Sequence, residues 1–270
     1  MEIIERIKDW RAAFERWSKT HGSGTSLDDI GNDYPFVENK RAPFQPARSA
    51  LSMSNLAVIS SAGAYIDGTR PFETTRDGDA TFREIPREVE GSDLRYTGRG
   101  YNTAAVESDM NSLIPIQRLL EFQNNGIIGQ LNQVWWSFSG FIPDATKVTE
   151  SLAPGLIDRL KRYEVQAALL IPASRLCHQS VALVARKLEL EGIPTMMLAV
   201  EKKVVELVRP PRAAVYKGEF GSVAGKPNFP EHQRRVLDEA LRWIEPIDQP
   251  TIRQLVVELE SEVEKERGER

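Results

Sequence analysis

The chain has 270 residues, of which 41% are hydrophobic and 27% are charged, and its formal net charge is −4. This composition is typical of an ordinary globular protein, and the slight negative charge excludes the basic surface that nucleic-acid binding requires. No apolar run approaches the length of about 20 residues needed to cross a bilayer. The acidic residues Glu2, Glu5 and Asp9 exclude an N-terminal signal peptide. A single cysteine makes no internal disulfide, so we expect a cytoplasmic protein without nucleic-acid or membrane partners.

The N-terminal region is predicted to be a helix followed by an extended arm. Apolar side chains recur at three- and four-residue spacing over residues 3–18, as in an amphipathic helix: Ile3, Ile4, Ile7, Trp10, Phe14 and Trp17. The stretch from there to residue 50 contains several prolines and has no regular period. We therefore expect residues 1–50 to pack on the main body or on a second copy of the chain.

Strand, turn and helix patterns alternate about six times over residues 51–250, the expected main domain. The predicted strands cover residues 55–60, 93–96, 134–140, 165–171, a run from 193, and 211–217, and the predicted helices cover 113–123, 152–163, a run up to 192, and 230–244. Residues 67–92 are predicted to be a long connection with little regular structure, and residues 251–270 a C-terminal helix. This order predicts an α/β fold with a mostly parallel, doubly wound sheet and helices on both faces, as in flavodoxin or Rossmann folds. No dinucleotide fingerprint or phosphate-binding P-loop occurs, so we expect no cofactor, and we expect no metal.

The central stretch, residues 165–200, predicts a βαβ unit with reactive side chains at its turn. An apolar run ends at Pro172, a short polar turn follows, and the only cysteine, Cys177, comes next with His178 beside it. Ligands of open α/β sheets bind at the carboxyl ends of the strands, so a site is expected here. A helix N-terminus favours a thiolate at Cys177, and His178 is a candidate acid or base. The alternative is that Cys177 only packs, since free cysteine is often buried and helix neighbours point about 100° apart.

Further candidates for substrate binding lie at other predicted turns. Serines lie at the ends of the first strand and of the 134–140 strand, namely Ser60, Ser61, Ser137 and Ser139. Arg99 and Tyr101 occupy the TGRGYN segment. Asp109 and Asn111 form a D-x-N sequence before a helix, and Gly221 lies in a glycine-rich loop after the 211–217 strand. Small hydroxyl residues after a strand leave backbone N–H groups that can hold an anion. For Asp109 and Asn111 the alternative is helix capping, and for each serine it is a role in the turn alone.

Several motifs together resemble a known family. They are SSAG after the first strand, the DGD…FREIP connection, the D-x-N sequence, the block CHQSVALVARKLELEGIPT, and a GxxxGKP loop followed by QRR. From about residue 43 to 244 the chain resembles the selenoprotein B family of glycine, sarcosine and betaine reductases, and especially its D-proline reductase group. The resemblance implies reductive cleavage of a C–N bond in an amino acid or N-methylated glycine. In that family a selenocysteine or cysteine attacks, and dithiols return the electrons.

The resemblance places the family nucleophile at Ser174, three residues before Cys177. Serine does not form the mixed selenide-sulfide or disulfide of such a cycle, and its alkoxide is inaccessible near neutral pH without a base. The TGRGYN segment has no histidine where related sequences tend to carry one, and no pyruvoyl-generating segment occurs. Three functions stay open: an oxidoreductase that uses Cys177, a non-redox enzyme or small-ligand-binding protein with a repurposed pocket, and a non-catalytic subunit. The partners expected are a small-molecule substrate, a partner subunit or thiol reductant, and further copies of the chain.

Overall fold

A computed structural model describes residues 1–21 and 30–257 of the protein. The strands, in chain order, are β1 (Asn55–Ser60), β2 (Ala64–Ile66), β3 (Phe82–Pro86), β4 (Leu94–Tyr96), β5 (Gln130–Leu131), β6 (Val134–Phe138), β7 (Ala167–Ile171), β8 (Thr195–Ala199), β9 (Arg212–Val215) and β10 (Thr251–Gln254). The helices are α1 (Ile7–Thr20), α2 (Ala104–Ser108), α3 (Ile116–Asn124), α4 (Ala145–Lys147), α5 (Ala153–Arg162), α6 (Arg175–Leu190), α7 (Lys202–Val208) and α8 (Pro230–Leu241). A π-helical turn, Val148–Leu152, joins α4 to α5. None of the helices in these ranges combines the length and hydropathy needed to span a membrane.

The main sheet has the strand order β10-β9-β8-β7-β1-β6-β3, and β5 also pairs with β1. Every pairing in it is parallel except the one between β3 and β6. A separate antiparallel pair is formed by β2 and β4. The order reverses around β1, which lies between β7 and β6, as in doubly wound sheets. The predicted α/β class with a mostly parallel sheet is therefore confirmed.

Helices cover both faces of this sheet, as predicted. Neighbouring residues of β7 belong to different hydrophobic clusters, because side chains of a strand point alternately to opposite faces. Leu169 packs in a cluster that includes Leu119 of α3. Leu170 packs in another cluster, which includes Leu156 of α5 and Val181 of α6. The inner strands are consequently apolar on both faces, which is why they are runs of hydrophobic residues without alternation.

Several local predictions were wrong or incomplete. Residues 67–92 are not without regular structure, because β3 lies within them and forms the antiparallel edge of the sheet on β6. The helix α7 was not predicted. The start of the predicted C-terminal helix is strand β10, which is held in the sheet by parallel pairing with β9. Residues 258–270 of that prediction lie outside the described part of the chain, as do residues 22–29 of the arm.

The N-terminal segment is fastened to the main body through the buried side chain of Arg186 in α6. Its guanidinium donates to the backbone carbonyl oxygens of Ile3 at 2.9 Å, Arg41 at 2.7 Å and Arg209 at 2.8 Å. An arginine offers several fixed donors, so one side chain joins three chain segments here. The helix α1 begins at Ile7, later than predicted, although Ile4 is still buried. The division of the chain at residues 50 and 250 stays a prediction.

Candidate active site at the central turn

The segment from Pro172 to His178, called the central turn below, joins the buried strand β7 to helix α6. Ser174 has an extended backbone and is the N-cap of α6. Its Oγ accepts a hydrogen bond from the backbone N–H of Cys177 at 3.3 Å, as an N-cap serine does. The same Oγ lies 2.9 Å from the Sγ of Cys177. The predicted strand–turn–helix therefore brings the hydroxyl and the only thiol of the chain into direct contact.

The ends of β1 and β6 meet the central turn from the other side. Ser61 follows β1, and its Oγ accepts a hydrogen bond from the backbone N–H of Ala173 at 2.9 Å. The carbonyl oxygen of Ser61 lies 4.0 Å from the Sγ of Cys177. Gly140 follows β6, and a Cβ added there would lie 2.7 Å from that Sγ. The thiol is thus placed at the carboxyl ends of three adjacent parallel strands, where open α/β sheets bind ligands.

The TGRGYN segment covers Ser174. Gly100 has a φ of +73°, and a Cβ added to it would lie 3.2 Å from the Cβ and Oγ of Ser174. Tyr101 anchors the segment, because its hydroxyl donates to the carbonyl oxygen of Ala62 at 2.6 Å. A larger residue at position 100 would meet both a backbone conformation unfavourable to L-residues and a side chain. The segment therefore closes over the hydroxyl at short range.

Arg99 lies in the same segment and is only 8% exposed. Its guanidinium carbon is 4.2 Å from the centre of the Phe141 ring, and its Nη1 donates to the carbonyl oxygen of Thr75 at 2.6 Å. Phe141 directly follows Gly140, which borders the thiol. The positive charge is therefore held beside the central turn by a cation–π contact and a backbone hydrogen bond.

His178 has both ring nitrogens engaged by backbone groups. Its Nδ1 donates to the carbonyl oxygen of Ser174 at 2.7 Å, and its Nε2 accepts from the backbone N–H groups of Val200 at 3.0 Å and Glu201 at 3.3 Å. Burial lowers the pKa of His178 to about 4, so the imidazole is neutral near pH 7. This arrangement favours a positioning role, in which His178 ties the central turn to the end of β8. A catalytic role for it stays a prediction.

Asp109 and Asn111 make capping contacts, but at a 3-10 turn before α3 and not at the N-cap of α3 itself, which is Pro115. Asp109 is the N-cap of a 3-10 turn, Met110–Ser112, and accepts from the backbone N–H of Asn111 at 3.0 Å. Its other oxygen accepts from Gln233 Nε2 at 2.6 Å and from the backbone N–H of Asn228 at 2.9 Å. Burial opposes ionisation of this carboxyl, but these hydrogen bonds outweigh it and lower its pKa. Asp109 thus joins the start of α3 to α8.

Replacing this carboxylate is expected to destabilise the fold. In Asp109→Ala the donors on Asn228 and Gln233 lose their acceptor, so the free energy of unfolding should fall by about 3 kcal/mol. Urea unfolding monitored by circular dichroism measures this loss. Asp158→Ala is the matched control, because Asp158 makes an exposed i,i+4 ion pair with Arg162, and its loss should cost less than about 0.5 kcal/mol. Equal effects of the two variants would contradict the bridging role of Asp109.

The remaining predicted residues organise the turns around the site. Ser60 Oγ accepts from the backbone N–H of Ala62 at 3.3 Å, and Ser137 Oγ accepts from that of Ala64 at 2.7 Å. Ser139 is buried and forms an isolated antiparallel bridge with Ala62. Ser60 and Ser137 make these backbone contacts from the ends of strands β1 and β6, and substrate binding by the serines stays a prediction.

A glycine-rich loop contacts the central turn from the carboxyl end of β9. Gly221 has a φ of +83°, and its N–H donates to the carbonyl oxygen of Ala173 at 2.9 Å.

Gly140 is a residue of the site that the sequence reasoning missed. The available signal was a glycine at the end of the predicted 134–140 strand. Ser180 Oγ donates a hydrogen bond to the Gly140 carbonyl oxygen at 2.8 Å. In the described ranges no cluster of three or more histidine, cysteine or acidic side chains is suited to a metal ion.

Fold and site together define an α/β protein with a single thiol in the first turn of the helix that follows a central strand. A family model for glycine/sarcosine/betaine reductase selenoprotein B matches residues 28–173, which is more than half of the chain. The chain belongs to this family. The matched region ends one residue before Ser174.

Several relatives of the chain are named as subunits or components of amino-acid reductases. The chain is 30% identical over 199 residues to the D-proline reductase subunit gamma of Acetoanaerobium sticklandii. The aligned region covers 74% of this chain and 81% of that relative. It is 23% identical to the glycine reductase complex component B subunit gamma of Symbiobacterium thermophilum, over 61% of this chain and 39% of the relative. It is 22% identical to the betaine reductase complex component B subunit beta of Peptoclostridium acidaminophilum, over 71% and 44% respectively. The chain therefore spans less than half the length of these glycine and betaine relatives. No solved structure matches the chain.

Proposed function

We propose that the protein is a subunit of a reductase complex and that its central turn binds a small amino-acid-like substrate. The observation that carries this proposal is the position of the only cysteine. Cys177 Sγ lies 2.9 Å from Ser174 Oγ in the first turn of α6, at the carboxyl ends of the central strands. The names of its relatives, which are subunits or components of D-proline, glycine and betaine reductases, support the assignment to a complex. The single cysteine fits a location in the reducing cytoplasm.

The reaction we assign to the thiol is reductive cleavage of a C–N bond. The Cys177 thiolate attacks the carbon that bears the amine, the C–N electron pair leaves with the nitrogen, and the nitrogen takes up a proton. An external dithiol then attacks the sulfur, and the C–S electron pair leaves with the carbon, which takes up a second proton. The second thiol of that reductant releases Cys177 from the mixed disulfide. The reductant must come from outside, because the 270 residues contain no second cysteine.

Ser174 and His178 support the thiol in this proposal. The Ser174 hydroxyl donates to the sulfur, and a hydrogen bond to a charged group favours its charged form. His178 fixes the carbonyl of Ser174 and so the start of the helix. The N-terminus of α6 adds a favourable dipole for a thiolate. Arg99 is a cation held beside the turn, and we assign it to the recognition of a substrate carboxylate.

Turnover of D-proline with a dithiol reductant, in the protein purified with its partner subunits, tests the proposal. We expect Cys177→Ala to abolish turnover and Ser174→Ala to lower it by roughly tenfold, the effect of one hydrogen bond to a charged group. Lys203→Ala, an exposed change on α7, should leave turnover unchanged. Glycine, sarcosine and betaine are the further substrates to compare. Full activity in Cys177→Ala would refute the role of the thiol.

A second function, binding or assembly without redox chemistry, is favoured by the burial of the site. Ser174 and Cys177 are each only 1% exposed. A subunit that has lost catalysis needs no access to its thiol, whereas a reductase must open the TGRGYN segment or the glycine-rich loop. In that case Cys177→Ala keeps ligand binding or complex formation while Ser174→Ala loses it. The homo-oligomeric state expected from the apolar N-terminal helix is a further proposal, which sedimentation tests.

A further inference from the structure

A cavity of about 340 Å³ lies at the carboxyl end of β9, beside the glycine-rich loop. It is lined by residues from the end of β9, the loop and the first turn of α8: Tyr216, Lys217, Gly218, Glu219, Ser222, Lys226, Pro227 and His232. None of the residues assigned to the central turn lines it. The volume is in the range of small-molecule sites, and the location at a strand's carboxyl end is the usual one for ligands. This cavity has no part in the function proposed above.

The polar lining is predominantly cationic. Lys217 and Lys226 contribute two ammonium groups, against the single carboxylate of Glu219. His232 Nδ1 accepts a hydrogen bond from the backbone N–H of Lys226 at 3.2 Å, which leaves the ring proton of the neutral imidazole on Nε2 as a donor. Burial lowers the pKa of His232, and the nearby charges of Lys226 and Arg235 lower it further. The lining therefore contains more basic than acidic side chains.

The other walls of the cavity include an aromatic ring and an apolar surface, as in sites for small organic molecules. Tyr216 is buried, and its hydroxyl is directed to the backbone carbonyl oxygens of Ser222 at 3.3 Å and Val223 at 3.1 Å. The ring of Tyr216 lies 6.1 Å from that of His232. With its hydroxyl engaged, Tyr216 presents its ring to the cavity, and Pro227 adds a second apolar surface. Such a lining suits a ligand with both a charged group and a carbon skeleton.

We propose that this cavity binds a small ligand through an oxyanion, either a carboxylate or a phosphate. The ammonium group of Lys226 and the Nε2–H of His232 are the donors. Because both anions offer oxygens to the same donors, the charge does not distinguish them. The ligand would adjoin the central turn, since Gly221 of the same loop donates to Ala173 and the Phe220 ring lies 5.8 Å from that of His178.

The full chain titrated with sodium phosphate, and separately with sodium acetate, at constant ionic strength tests this site. The sequence has three histidines, so histidine ring signals in NMR spectra are few, and His232→Gln assigns the relevant one. We expect a saturable shift of the His232 signal with at least one anion. In Lys226→Ala its dissociation constant should rise about tenfold, the factor that corresponds to about 1.4 kcal/mol. The backbone bonds of Lys226 to His232 and Gln233 do not involve the substituted side chain.

Lys203→Ala is the matched control, since it removes one exposed lysine of α7 that does not line the cavity. Saturation by phosphate alone, by acetate alone or by both supports the proposal and identifies the preferred oxyanion. A His232 signal that neither anion shifts in a saturable manner overturns it. An equal loss of affinity in Lys226→Ala and Lys203→Ala overturns it too, because the binding would then reflect net charge alone.

Discussion

Ser174→Cys is expected to form a reversible disulfide with Cys177. A cysteine side chain at this N-cap places its sulfur close to the present Oγ, which already lies 2.9 Å from the Cys177 sulfur. A small shift then reaches the S–S bond length of about 2.05 Å. The variant acquires a C-x-x-C pair, the spacing of dithiol redox motifs. Mass spectrometry after mild oxidation should find the variant lacking two hydrogens, and a dithiol should restore them.

Ser180→Cys is the matched control for this variant. Ser180 lies three residues beyond Cys177, as Ser174 lies three residues before it, but it is inside α6 and its Oγ donates to Gly140. Residues three apart within a helix have Cβ atoms about 5–6 Å apart, farther than the roughly 3.5–4.5 Å of a disulfide. It should therefore stay reduced. Equal oxidation of both variants, or none in Ser174→Cys, would contradict the geometry of the central turn.

Acid is expected to destabilise the protein through His178. The pKa of this buried imidazole is lowered from 6.5 to about 4 in the folded state, so between these values the unfolded chain binds more protons than the folded one. The contribution of His178 to stability is therefore fully present above pH 6.5 and decreases as the pH falls to about 4. The lowered pKa corresponds to a loss of about 3 kcal/mol over this interval.

Urea unfolding at several pH values, compared between the native chain and His178→Gln, measures this contribution. The variant should be less stable near pH 7, because Ser174 and Val200 lose a ring partner, but it should lose less stability on acidification. The two proteins must be compared because Glu189, paired with Arg212, also titrates. Burial raises the pKa of Glu189, so its titration increases the stability of both proteins as the pH falls, opposite to the effect of His178. Identical slopes of stability against pH for the two proteins would refute the account of His178.

The site was predictable from the sequence where local chemistry determines structure. Strand β1 matches its predicted bounds because an apolar run between turn residues has few alternatives. The cap at Ser174 follows from a serine placed before a helical pattern. Strands β3 and β10 escaped prediction because they lie at the two edges of the sheet. Their extended conformation comes from pairing with β6 and β9, and the local sequence does not encode that pairing.

The roles of individual side chains were less accessible from the sequence. Adjacency of Cys177 and His178 in the chain suggested that they cooperate, but the helical turn of about 100° per residue directs them apart. The imidazole finds its partners at Ser174 in the central turn and at Val200 just beyond β8. Gly140 borders the thiol only because β6 lies beside β1 in the sheet. Such contacts depend on topology, and a single sequence contains no direct signal for them.

The rate at which Cys177 reacts with iodoacetamide at increasing, sub-denaturing urea tests the central claim most directly. Cys177 is 1% exposed, so it reacts only when the protein opens. If the central turn is an active site, opening involves only the segments that cover it. The alkylation rate of Cys177 should then be nearly independent of the urea concentration. It should also be at least about tenfold faster than the rate expected if only globally unfolded molecules reacted. A rate that increases with urea as steeply as global unfolding does would mean that the thiol is reached only in the unfolded chain, and would contradict the assignment.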